Sequence, residues 1–224
     1  MTDSLKSEVS SLKLHRDYLI HYYTGPVKDS PSSINNQHDA KISTKACLSD
    51  FDNNQPNIYN DYDGYLIACY SDHPLVYELQ QRIQRPGVVV MGIFQASMLY
   101  AMNYASENCR AGILTSGSDW EPLLNDAIVK FCSNSNNNFP TSKFSPTLAS
   151  GIPVLDLHKP ECYPHLQACI QQLVDKNVRI ILLGCAGLST LSNKMKSQYP
   201  NVKFVDSVKV GIRLLIAYIQ VGDI

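Results

Sequence analysis

The segment VRIILLGCAGLS, residues 178 to 189, constrains this chain most. A fully apolar run, of the kind buried on both faces of a parallel sheet, ends in Gly184, Cys185, Ala186 and Gly187, and a helix-like segment follows at once. The same plan occurs earlier in GYLIACYSDHPLV, residues 64 to 76, where Tyr65, Leu66, Ile67 and Ala68 deliver Cys69 to a polar turn before another helix. Ligands of open α/β sheets bind outside the carboxyl ends of the strands, where the next helix presents free amides and the positive end of its dipole. A thiol held there is expected to have its pKa lowered from about 8.5 toward neutrality, which makes it a base or nucleophile. Taken singly, each cysteine reads as a small buried hydrophobe. Two in matching corners point to paired chemistry.

Along the chain, strand-like and helix-like segments alternate. Leu5, Val9 and Leu12 recur at near-helical spacing behind the capping residues Thr2, Asp3 and Ser4. DYLIHYYTGP, 17 to 26, reads as a strand ending in a Gly-Pro turn. Residues 27 to 60 read as loop with a short helix around Ala40 to Leu48, and the Asn/Pro-rich piece from Asp52 to Asn60 as a surface loop. Further strands are expected at 64–69, 88–94, 110–117, 153–158, 178–185 and 202–207. Helices are expected through Leu75, Leu79 and Ile83, at 95–108, 118–132 (capped by Ser118 or Asp119, with Pro122 in its first turn), 164–177, 189–198 and 208–220. The last is apolar on most faces, as a helix buried between lobes or subunits is. Residues 133 to 139, SNSNNNF, read as a low-complexity loop. The alternation predicts an α/β fold: two similar lobes with mostly parallel sheets flanked by helices and an active-site cleft between them. The lobes are expected over 1–94 plus 206–224 and over 95–205.

Composition excludes several function classes. A formal net charge of -1 gives no bulk attraction for nucleic acid or an acidic membrane. No apolar run approaches the ~20 residues of a membrane span, and nothing at the N-terminus reads as a signal peptide. Seven cysteines, an odd number without a secretory signal, predict a reduced cytoplasmic protein. Their spacings match no zinc site, so no metal is assigned. His73 follows Cys69 by four positions, but a place before Pro74 reads as the solvent-facing start of a helix, with Asp72 as its cap. The other five cysteines and Trp120 read as packing residues.

GYLIACYSDHPL, VVVMGIF followed by QAS, GILTSGSDW, IILLGCAGLS and FVDSVKVGI occur in the order and approximate spacing of the aspartate/glutamate/hydantoin racemase superfamily. The chain resembles its hydantoin and allantoin racemase branch over most of its length, to about residue 217. There the first corner reads roughly A-C-F-[GS]-D and the second L-G-C-[AT]-G. The resemblance implies a cofactor-independent racemase in which Cys69 and Cys185 flank an acidic carbon next to a carbonyl, one removing a proton and the other donating one. It places substrate contacts at Ser71, Asp72, Thr115, Ser116, Gly184 and Ala186, and implies a small-molecule substrate, a role in nitrogen metabolism and a possible homo-oligomer. Taken singly, Ser71, Thr115 and Ser116 read equally well as helix-capping residues.

Within the superfamily, G-C-A-G favours the hydantoin branch over an aspartate or glutamate racemase, whose members tend to carry G-C-T. The lack of an Arg/Lys cluster at the corners also disfavours a dicarboxylate substrate. A decarboxylase with one cysteine is disfavoured because both are present. A non-catalytic binding relative is the remaining alternative. The chain departs from the family in three ways. Relatives begin with a strand ending in an Asn-Pro-Asn-[Ser/Thr] turn, and MTDSLK resembles the segment directly after it; the expectation is that this first strand is missing and that restoring it raises melting temperature and activity. Gln95 stands where many relatives have Glu, and Ser71 and His73 stand where relatives often have small or turn residues.

Overall fold

The computed structural model describes residues 2–14, 18–132, 138–157 and 159–222. The chain opens with helix α1 (Thr2–Ser10), followed by a long irregular crossing and α2 (Gln37–Asn54). Strands and helices then alternate: β1 (Gly64–Ile67), α3 (Pro74–Arg82), β2 (Val89–Gly92), α4 (Ile93–Tyr104), β3 (Arg110–Thr115), α5 (Trp120–Cys132), β4 (Leu148–Ala149), α6 (Tyr163–Asp175), β5 (Val178–Leu183), α7 (Ser192–Gln198), β6 (Lys203–Val205) and α8 (Ser207–Gly222).

All pairings between these strands are parallel. β1 pairs with β2 in a two-stranded sheet, in register from Gly64↔Val89 to Ile67↔Gly92. The second sheet has the order β4-β3-β5-β6. Its centre is the pair β3–β5, RAGILT beside VRIILL, buried on both faces; this is why these runs are continuous rather than alternating. One core lies under α4, α5 and the first half of α8, around Phe94, Met98, Ile113 and Ile128. Another lies on the opposite face of the second sheet under α6, around Leu166, Ile170 and Leu183. A smaller one joins α2 and α3 to the β1–β2 sheet through Cys47, Phe51, Leu75 and Leu79. Helix α8 packs on α4 and on both β1 and β2, so the last helix returns to the first sheet. Its first turns are buried, whereas Tyr218 and Val221 at its far end are exposed.

Three sequence expectations are corrected. Residues 18–26 form no strand: Leu19 is 82% exposed, and Tyr23 instead lays its ring against Phe51 at 4.8 Å and donates its hydroxyl to Asp50 at 2.9 Å. Aromatic β-propensity acts only where a neighbouring strand is available, and here Tyr23 anchors the segment on α2 while His21 meets Tyr62 and Tyr22 lies under Lys6. That helix runs on through residues 52–54, and a 3₁₀ turn at Pro56–Tyr59 replaces much of the expected surface loop. The strand expected at 153–158 is a 3₁₀ turn at Val154–Asp156, with His158 outside the described residues. The edge beside β3 is taken earlier by Leu148 and Ala149, opposite Leu114 and Thr115. Gly151, at φ +72°, then turns the chain away in a conformation that glycine adopts without steric cost.

Candidate active site

The site forms at the carboxyl ends of β1, β3 and β5. After β1, Ala68 leads to Cys69, which is half-buried, with Sγ 3.5 Å from Ser71 Oγ. The corner is braced from below by Tyr70, whose ring meets Phe94 edge-on at 5.7 Å and whose hydroxyl lies 2.9 Å from Ser97 Oγ. Burial pushes the Cys69 thiol up to about 11; the Ser71 hydrogen bond opposes this, and the charge of Cys185 adds to it. The depressed pKa expected from the helix start is therefore corrected. Helix α3 begins only at Pro74, and desolvation of the thiolate outweighs a dipole five residues away.

After β5, Gly184 leads to Cys185, which occupies the cap position of a 3₁₀ helix over Ala186–Leu191. Cys185 and Ala186 are buried. Burial raises the Cys185 thiol as well, while the amides of Gly187 and Leu188 pull it down. Gly184 is held by β3 from two sides: its amide donates to Leu114 O at 2.8 Å, and its carbonyl accepts from the Thr115 hydroxyl at 3.0 Å. Thr115, expected at the substrate, spends its hydroxyl as this clamp. Ser116, buried after β3, is tied through its carbonyl to Gly151 N at 2.7 Å and Ser150 Oγ at 3.3 Å, and its described bonds reach neither cysteine corner. The structure thus brings Cys69 within electrostatic reach of Cys185, Ser71 to Cys69, and Thr115 to Gly184.

Asp72 does not cap α3. Its Oδ1 accepts from the Tyr77 hydroxyl at 2.6 Å and from Gln95 Nε2 at 3.1 Å. The cap is His73, whose Nδ1 accepts from the Leu75 amide at 3.3 Å. Far from facing solvent, His73 is 2% exposed, and burial lowers its imidazole to about 4. Only the packing of α3 against the first sheet reveals this; the sole sequence signal is Pro74, which places residue 73 at the cap. Asp206, part of the FVDSVKVGI segment but given no role from the sequence, is also buried. Its Oδ1 accepts from Ser189, in the turn after Cys185, and from the Lys209 amide, both at 3.1 Å, so it joins the second corner to the start of α8.

The buried neutral His73 makes folding acid-sensitive. Its folded pKa lies below the unfolded value of about 6.5, so the unfolded chain takes up a proton first as pH falls. The stabilisation is whole above pH 6.5 and is lost toward pH 4. At pH 5 the loss amounts to about 2 kcal/mol. Urea titrations at pH 7.5 and pH 5 are expected to show a drop smaller by about that amount in His73→Asn, which keeps a cap acceptor but cannot titrate. An equal drop in both proteins would show that the imidazole protonates freely.

No group of three or more His, Cys, Asp or Glu suited to a metal ion occurs among the described residues, and no described helix is long and apolar enough to cross a membrane. All seven cysteines are free.

A model of the Asp/Glu/hydantoin racemase family matches residues 1–215. The chain belongs to this family. Protein DCG1 of Saccharomyces cerevisiae is 31% identical over 98% of this chain and 91% of its own length. Hydantoin racemase of Rhizobium meliloti is 23% identical over 87% of this chain and 74% of its own. Among solved structures, allantoin racemase from Klebsiella pneumoniae superimposes with a TM-score of 0.79 at 19% identity, covering 99% of this chain and 83% of that one. The racemase fold, with parallel sheets flanked by helices, is therefore the fold of this chain, and family membership supports an isomerase acting on a small molecule.

Proposed function

We propose that this racemase-family protein inverts the C5 centre of a 5-substituted hydantoin or of allantoin without a cofactor, using Cys69 and Cys185 as the two proton-transfer groups. The observation that carries this reading is that each thiol follows the carboxyl end of a parallel strand, one in each sheet, and that a charge on Cys185 bears on Cys69. The substrate lies between the lobe formed by 1–94 plus 206–224 and that formed by 95–205. One cysteine, as thiolate, takes the C5 proton from its face. The C–H electron pair moves into the adjacent carbonyl as an enolate. The other cysteine, as thiol, returns a proton to the opposite face, and the two sulfurs end with exchanged protonation states. Backbone amides at Asp72 and Ala186 are suited to the enolate oxygen as an oxyanion hole is, whereas the Ser71 amide already donates to the Cys69 carbonyl at 3.0 Å.

Similarity to a hydantoin racemase and to an allantoin racemase supports the substrate class. The residues singled out at the corners include no Arg or Lys, which disfavours a dicarboxylate amino acid as the alternative. The test is isotope exchange. The protein is incubated in D2O with L- and D-benzylhydantoin, L- and D-allantoin, and aspartate and glutamate, and loss of the proton on the acidic carbon is followed by NMR. Racemisation of a hydantoin or allantoin is expected, falling at least about a hundredfold in Cys69→Ser and in Cys185→Ser, the usual worth of a positioned acid or base. Exchange of aspartate or glutamate alone would move the substrate class. Ligand binding without exchange would make the protein a non-catalytic relative.

A further inference from the structure

Two polar atoms at the carboxyl edge of the β1–β2 sheet are buried without a hydrogen-bond partner: Nε2 of His73 and Oε1 of Gln95. They are chemically opposite. His73 Nδ1 accepts the Leu75 amide proton. A neutral imidazole carries one proton, so an accepting Nδ1 leaves it on Nε2. Burial keeps the ring neutral, and His73 Nε2–H is an unused donor. Gln95 is ordered the other way round. Its Nε2 donates to Asp72 Oδ1, the same oxygen that takes the Tyr77 hydroxyl. A carboxylate only accepts, so Asp72 turns the amide nitrogen toward itself and leaves Oε1 as an unused acceptor.

The two groups share one edge. β1 and β2 stay in register to their last residues, Ile67↔Gly92. His73 caps the helix after β1, and Gln95 lies in the first turn of the helix after β2. Gly92 makes room for the Gln95 carbonyl, because a Cβ there would stand 2.2 Å from Oε1. A buried donor and a buried acceptor left open both carry a desolvation cost, and folded proteins keep few of them without a role.

We propose that His73 and Gln95 together read the amide edge of an uncharged cyclic ureide, one carbonyl beside one N–H. This deepens the racemase reading above and rests on it for the identity of the ring. In a hydantoin the matching edge is C4=O with N3–H. His73 Nε2–H donates to the C4 oxygen, where negative charge gathers as the C5 proton leaves. Gln95 Oε1 accepts from N3–H. The α-carboxylate and side-chain carboxylate of an acidic amino acid provide no such neutral amide edge, so the pair selects for the ring.

The test separates binding from turnover. Binding of 5-benzylhydantoin and of its N3-methyl derivative is measured calorimetrically in the full chain carrying both Cys69→Ser and Cys185→Ser. N3-methylation is expected to weaken binding at least about tenfold, since it leaves a buried acceptor unpaired, and adding Gln95→Met should remove most of that preference. With both cysteines present, His73→Asn is expected to lower kcat about a hundredfold with a smaller change in KM, whereas a residue that merely capped α3 would leave kcat intact. Equal binding of the two ligands, or a preference that survives Gln95→Met alongside normal turnover in His73→Asn, overturns the inference while the racemase reading stands. No proton exchange by the parent chain, with the preference present and lost in Gln95→Met, overturns the racemase reading and leaves the edge recognition standing. No hydantoin binding at all overturns both.

Discussion

A Gly184→Ala variant is expected to melt about 6–12 °C below the parent chain, a loss of at least about 3 kcal/mol for a protein of this size. The added methyl would stand 2.5 Å from Ile113 Cγ2 and 2.9 Å from the Leu114 carbonyl oxygen. A side-chain tip could rotate away, but the carbonyl is part of the β3–β5 ladder and accepts the Gly184 amide itself at 2.8 Å. Relief therefore requires the end of β5 to separate from β3 at the residue before Cys185. Both strands are buried on both faces there, so the displacement also costs packing. The Thr115–Gly184 clamp opens with it, and proposed activity should fall along with stability. Gly117→Ala is the control: a Cβ there meets nothing within 4 Å, and its expected change stays within about 0.5 kcal/mol. Equal melting temperatures for Gly184→Ala and the parent would show that the two strands are not packed as described.

Racemisation is expected to accelerate steeply with alkalinity, with kcat/KM rising about tenfold per pH unit from pH 7 to pH 9. Burial raises both thiols, Cys69 to about 11 beside a charged Cys185, so at lower pH the fraction of the pair carrying one thiolate grows tenfold per unit, and kcat/KM reports the ionisation of the free enzyme. The sign follows from burial: desolvation penalises the thiolate, and a neighbouring Cys185 thiolate penalises a second one. Proton transfer by the pair requires one thiolate and one thiol, so the rate falls again once both are ionised. Alkylation of Cys69 by iodoacetamide in a Cys185→Ser background gives an independent titration, and without its neighbour Cys69 should ionise at a somewhat lower pH than in the parent. A profile flat between pH 7 and pH 9 would mean that a thiolate is already formed near neutrality and would remove the physical basis of this prediction.

The parts of the molecule legible in the residues are those in which local pattern and tertiary context agree. RAGILT and VRIILL are continuous apolar runs because they are central parallel strands, and each is followed by a helix in the structure. Both cysteine corners were visible for the same reason: strand, turn and helix are contiguous in sequence, and chain order alone puts the thiol at the ligand-binding edge. Family motifs around Cys69 and Cys185 added the expectation of paired chemistry. Residues 18–23 form no strand because β-propensity needs an adjacent edge; Tyr23 packs on α2 instead, while His21 meets Tyr62 and the Tyr18 hydroxyl accepts from Gln220. PVLDLH failed because Leu148 and Ala149 occupied the edge of β3 first.

By itself the sequence determined the α/β alternation, the two cysteine corners and the membership of a racemase family, since each is written in contiguous segments or in motif order. Tertiary structure alone decided the pKa direction of both thiols, the burial of His73 and the orientation of the Gln95 amide. Those properties depend on desolvation and on partners brought in from elsewhere in the chain: Gln95 meets Asp72 from 23 residues away, and Thr115 meets Gly184 from 69. Burial acts through three-dimensional neighbours, and no local pattern of residues encodes which neighbours a side chain will have.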